Sequence, residues 1–103
     1  MARAKVHTEP YGLRAEFGPH RVITMRPGST VPRSTATGTQ TVYVVSGNPV
    51  CEFRYPGGKM EQIGMHAEQW AEIGRGVTYS LRTRGDAVVI VIDEAEDADA
   101  DTR

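Results

Sequence analysis

Glycine and proline interrupt this chain too often for a long helix to form. Pro27-Gly28, Gly47-Asn48-Pro49, Pro56-Gly57-Gly58, Gly74-Arg75-Gly76 and Arg84-Gly85-Asp86 cut it into short pieces. Each break supplies either a positive φ or the fixed φ of proline. Between them lie runs with strand character: Arg21 to Arg26, Thr41 to Ser46, Val50 to Tyr55, Met60 to Met65, Trp70 to Ile73, Tyr79 to Thr83 and Ala87 to Asp93. No segment carries a helical stripe. Short strands at this spacing point to an all-β sandwich or barrel. Pro56-Gly57-Gly58 and Arg84-Gly85-Asp86 are both expected as hairpin loops.

At 103 residues there is room for one core, so any site must lie in or on that single domain. The domain is expected over residues 1–94. Residues 95–103, Ala-Glu-Asp-Ala-Asp-Ala-Asp-Thr-Arg, have nothing to bury and are expected to form a disordered acidic tail. Asp93 to Arg103 carry six acids and one base, so the net charge of −1 conceals a body of about +4. The arginines are scattered without interleaved aromatics, which argues against nucleic acid as a partner. The lone cysteine, Cys51, cannot form an internal disulfide framework or a Cys-cluster zinc site. With no apolar segment long enough to span a bilayer and no export signal, a cytoplasmic protein without membrane attachment is expected.

The run from Pro27 to Gly47 resembles the first motif of the cupin family, which spaces two His and one Glu, its metal ligands, between two glycines. Anchored on Gly28 and Gly47, the His positions fall on Ser34 and Ala36 and the Glu position on Gln40. A second alignment puts the His positions on Arg33 and Thr35 and keeps Gln40 in place. Gly74-Arg75-Gly76-Val77-Thr78-Tyr79 is similar to the second motif, with Tyr79 at the fourth ligand position and Thr83 where the family often has Asn. The resemblance covers residues 22–92 and implies a jelly-roll β-barrel (a double-stranded β-helix) of two antiparallel sheets, commonly dimeric, with a pocket at one mouth. It implies a member without the metal-ligand set.

A transition metal needs several imidazole, carboxylate or thiolate donors converging. Ser34, Ala36, Gln40 and Tyr79 supply none, and His7, His20 and His66 lie in separate segments. No metal and no other cofactor is therefore expected. With Gln40 facing in, alternation sends Val42 and Val44 inward and Thr41, Tyr43 and Val45 outward. Tyr79, Leu81 and Thr83 face in by the same rule. The expected pocket is mostly apolar with a few neutral hydrogen-bonding groups, lined by Arg33, Ser34, Val42, Val44, Cys51, Leu81 and Thr83. Arg33 and Arg82 are expected to flank its mouth. These positions also fit a filled core.

Two functions fit this pattern. One is metal-independent binding of a small organic molecule in the barrel, with or without isomerase, cyclase or dehydratase chemistry, Tyr79 donating a hydrogen bond and Gln40 orienting a carbonyl. The other is a non-catalytic homodimeric or interaction module with a closed interior, meeting its partner through Thr41, Tyr43 and Val45.

Overall fold

The computed structural model describes residues 5–94, so the acidic segment 95–103 lies outside the described residues. Ten strands follow one another: β1 (Lys5–Glu9), β2 (Gly12–Phe17), β3 (His20–Met25), β4 (Thr30–Thr35), β5 (Gln40–Ser46), β6 (Val50–Arg54), β7 (Met60–Gly64), β8 (Trp70–Ile73), β9 (Thr78–Arg82) and β10 (Ala87–Asp93). They form a six-stranded sheet in the order β1-β2-β3-β10-β5-β8 and a four-stranded sheet in the order β4-β9-β6-β7. Every pairing is antiparallel. Among the described residues no strand pairs from one sheet into the other. No helix there is long and apolar enough to cross a membrane.

The core lies between the sheets because alternate residues of each strand point to one side. On β10, Ala87, Val89 and Val91 are buried while Val88, Ile90 and Ile92 are half-buried on the other face. From β9 and β6, Leu81 and Cys51 meet them with no exposed surface.

Three strands lie outside the runs read from sequence. β4 contains Pro32, which cannot donate to a ladder; the strand sits at a sheet edge and its register shifts between Val31 and Ser34. β1 and β2 form a hairpin turning at Pro10-Tyr11, with the polar residues Lys5, His7, Glu9, Arg14 and Glu16 on one face. Arg14 pairs there with Glu9 at 2.9 Å and also with Glu16.

The Pro56-Gly57-Gly58 hairpin joins paired strands β6 and β7, closed by Tyr55 N–H donating to the Lys59 carbonyl at 2.8 Å. Arg84-Gly85-Asp86 differs from the expected hairpin: β9 and β10 belong to different sheets, so this loop carries the chain across the core. Glycine is required where that crossing meets the β5–β6 connection. A Cβ on Gly47, at φ +87°, would lie 2.3 Å from the Asp86 carbonyl oxygen.

Candidate functional site

The inward alternation expected on β5 and β9 is present. Gln40, Val42 and Val44 are buried, as are Tyr79, Leu81 and Thr83. These residues do not converge on one mouth. Ser34 pairs with Tyr79 at one end of the β4–β9 ladder and Thr30 with Arg82 at the other, so Arg33 and Arg82 stand at opposite ends. Thr83 lies at the Arg82 end, donating from Oγ1 to the Gly85 carbonyl at 2.7 Å. Arg33 and Ser34 are exposed. Val42, Val44, Cys51 and Leu81 have 0% exposure, so no water-sized gap borders them.

At the Gln40 end a polar cluster closes the sandwich. Its core partners, Arg21 on β3 and Asp93 on β10, are absent from the cupin motifs. The Arg21 guanidinium donates to Asp93 Oδ1 at 3.2 Å, and Gln40 Nε2 donates to the same oxygen. Arg21 Nε and Gln40 Oε1 are buried without a partner. Burial raises the Tyr79 phenol above its ordinary 10.0; Arg21 opposes that shift and Asp93 adds to it. Arg21 shares the inward parity of Ile23 and Met25, which was the signal available in the sequence. Asp93 reads in sequence as the start of the acidic tail, whereas it ends β10 opposite Gln40.

These residues do not fit a cupin metal. Ser34, Ala36, Gln40 and Tyr79 offer a hydroxyl, a methyl, an amide and a phenol, and the carboxylate beside them, Asp93, is already paired with the Arg21 guanidinium and bonded to Gln40. Among the described residues no three His, Cys, Asp or Glu side chains gather as metal ligands.

Cys51 is an equally poor nucleophile, because burial pushes its thiol from 9.0 up to about 12. The unfolded chain loses this proton near pH 9 while the folded chain keeps it. Stability is therefore complete below pH 9 and falls towards pH 12, by about 1.4 kcal/mol per pH unit. Urea unfolding across that range should show the slope, and Cys51→Ala should remove the part that begins near pH 9. A slope unchanged by the substitution would show that Cys51 is not its source.

The outer face of the six-stranded sheet is the second distinctive surface. Register aligns Val6, Ala15, Val22, Ile90, Tyr43 and Trp70 in one row across all six strands. The outward positions of the central strands are His20, Val22 and Thr24 on β3, Val88, Ile90 and Ile92 on β10, and Thr41, Tyr43 and Val45 on β5. None is Lys, Arg, Asp or Glu, although such residues make up 24% of the chain. Val6, Leu13, Phe17, Val45 and Trp70 are all exposed on this face.

No family model and no curated protein matches the sequence. Solved structures do resemble the fold. The cupin domain of Drosophila melanogaster CENP-C superposes with a TM-score of 0.80 at 16% identity, over 89% of this chain and 76% of that one. CENP-C bound to CAL1 gives the same TM-score at 15% identity, over 88% of this chain and 80% of that one. CapF, a capsular polysaccharide assembling protein of Staphylococcus aureus, gives 0.76 at 22% identity over 95% of this chain and 31% of its own. Oxalate decarboxylase of Lactobacillus farciminis, in a formate complex, gives 0.78 at 13% identity over 90% of this chain and 31% of that one. At such identities the likeness is one of fold, and the fold of this chain is cupin-like.

Proposed function

We propose that the chain is a homodimeric interaction module, two copies meeting through the outer faces of their six-stranded sheets. The observation that carries this is the uncharged apolar row from Val6 to Trp70. β10 adds support: Ala87 to Ile92 is continuously apolar, the pattern of a strand covered on both faces, while the described residues cover only one. A face of this composition suits a second copy. The central strands place no like charges in opposition when the face meets itself. The packed core at Val42, Val44, Cys51 and Leu81 supports a role carried by the surface. The cupin domain of CENP-C bound to CAL1 supports protein association as a use of this fold.

Trp70, the single tryptophan, is 64% exposed and ends the apolar row, so its fluorescence reports on the face. Acrylamide quenching should be weak in concentrated protein and rise on dilution as copies separate. Strong quenching at every concentration, together with a monomer by sedimentation, would refute the proposal.

A second reading is favoured by the two orphaned atoms at the Gln40 end. Arg21 Nε lacks an acceptor and Gln40 Oε1 lacks a donor. A small organic molecule offering a carbonyl or carboxylate beside a hydroxyl would satisfy both, with the Tyr79 phenol as a further donor. To reach them, such a molecule would have to part the Arg21–Asp93–Gln40 cluster that closes this end of the sandwich.

A further inference from the structure

The end of the molecule opposite Gln40 holds a groove of about 630 Å³, lined by the β5–β6 connection, Val50, and the segment from Arg82 to Asp86. Its walls are pinned. Gly28 N–H donates to the Arg84 carbonyl at 2.9 Å and Thr83 N–H to the Ser29 carbonyl at 3.1 Å. Thr83 Oγ1 holds the Gly85 carbonyl, and Asn48 Oδ1 lies 2.9 Å from His66 Nδ1. An open groove of this volume can take a metabolite-sized ligand.

The charges on this frame are unspent. Arg82, Arg84 and Asp86 all line the groove, all are exposed, and none takes part in an ion pair among the described residues. Two guanidiniums on the rim of one groove can clamp an anion, since each offers a planar fork of donors to a phosphate or carboxylate. Asp86 can accept only hydrogen bonds, and Asn48 offers an amide; both suit hydroxyl groups. We infer that this groove binds a small hydroxylated organic anion of the sugar-phosphate class, its phosphate on Arg82 and Arg84 and its hydroxyls on Asp86 and Asn48. The site is independent of the sheet face proposed for dimerisation and lies at the far end of β9 from Tyr79.

Gly85 provides a steric test that leaves the fold alone. A Cβ there meets nothing within 4 Å, and its backbone is not in the left-handed region, so Gly85→Leu should keep the melting temperature while filling the groove. Calorimetric titration of the full chain with glucose 6-phosphate, inorganic phosphate and glucose reads the binding directly. Saturable binding of glucose 6-phosphate is expected, about tenfold tighter than inorganic phosphate and tighter still than glucose. Arg82→Gln with Arg84→Gln, and separately Gly85→Leu, should each weaken it by about tenfold or more. Asp86→Ala should narrow the preference for glucose 6-phosphate over inorganic phosphate, because it removes an acceptor for the hydroxyls and a charge that repels the phosphate. Absence of saturable binding, equal affinity for glucose and its phosphate, or indifference to the arginine pair would overturn the inference.

Discussion

Tyr43→Asp should separate the dimer. Tyr43 stands in the apolar row between Ile90 and Trp70, so two copies sharing this face would each bury the introduced carboxylate. Uncompensated interfacial charge costs several kcal/mol, and about 3 kcal/mol corresponds to a dissociation constant weakened by more than about 100-fold. Within one chain the same change touches only a half-buried outward position, where strand preference shifts by about 1 kcal/mol. The variant should therefore fold and sediment as a monomer. Met60→Asp is the matched control: it also places a carboxylate at an exposed apolar strand position, but on β7 of the other sheet, opposite Arg54. The control should remain dimeric. If both variants dissociate equally, charge in general is responsible and the sheet face is not.

Leu81→Ala tests whether the interior is packed. Leu81 has no exposed surface and sits on β9 opposite Cys51 of β6. Truncating it removes three carbons from a space that has no gap to collapse into, a loss of about 3 kcal/mol. In a domain of this size that lowers the melting temperature by about 15 °C. Denaturant unfolding should show the midpoint fall with the slope retained. A loss below about 1 kcal/mol would mean that Leu81 borders open space and would move the weight to an interior ligand pocket.

The sequence disclosed more of the architecture than of the site, for reasons that lie in particular residues. The strands between glycine breaks were legible because their turns are local. β4 was hidden by Pro32, which reads as a stop until the strand is seen at an edge with a shifted register. The β1–β2 hairpin was hidden by Lys5, Glu9, Arg14 and Glu16, residues with little strand preference whose alternation is nonetheless regular. At the site, Gln40 and Tyr79 were legible from spacing and parity. Their neighbours Arg21 and Asp93 reach them only through the β3–β10–β5 register, which joins residues some 70 positions apart in the Arg21–Asp93 pair. Arg82 was misplaced for a local reason: it shares β9 with Tyr79, but Tyr79 pairs with Ser34 near one end of the ladder and Arg82 with Thr30 at the other. The outer face was half-legible in Ala87 to Ile92, whose unbroken apolar run needs cover on both sides.

Native mass spectrometry of the protein as purified, beside Tyr43→Asp, bears most directly on the central claim. Association through the sheet face predicts a wild-type dimer at twice the chain mass and a monomeric variant. A wild-type monomer, or a dimer that survives Tyr43→Asp, would contradict it; an organic mass that leaves on Gln40→Ala would establish the ligand reading in its place.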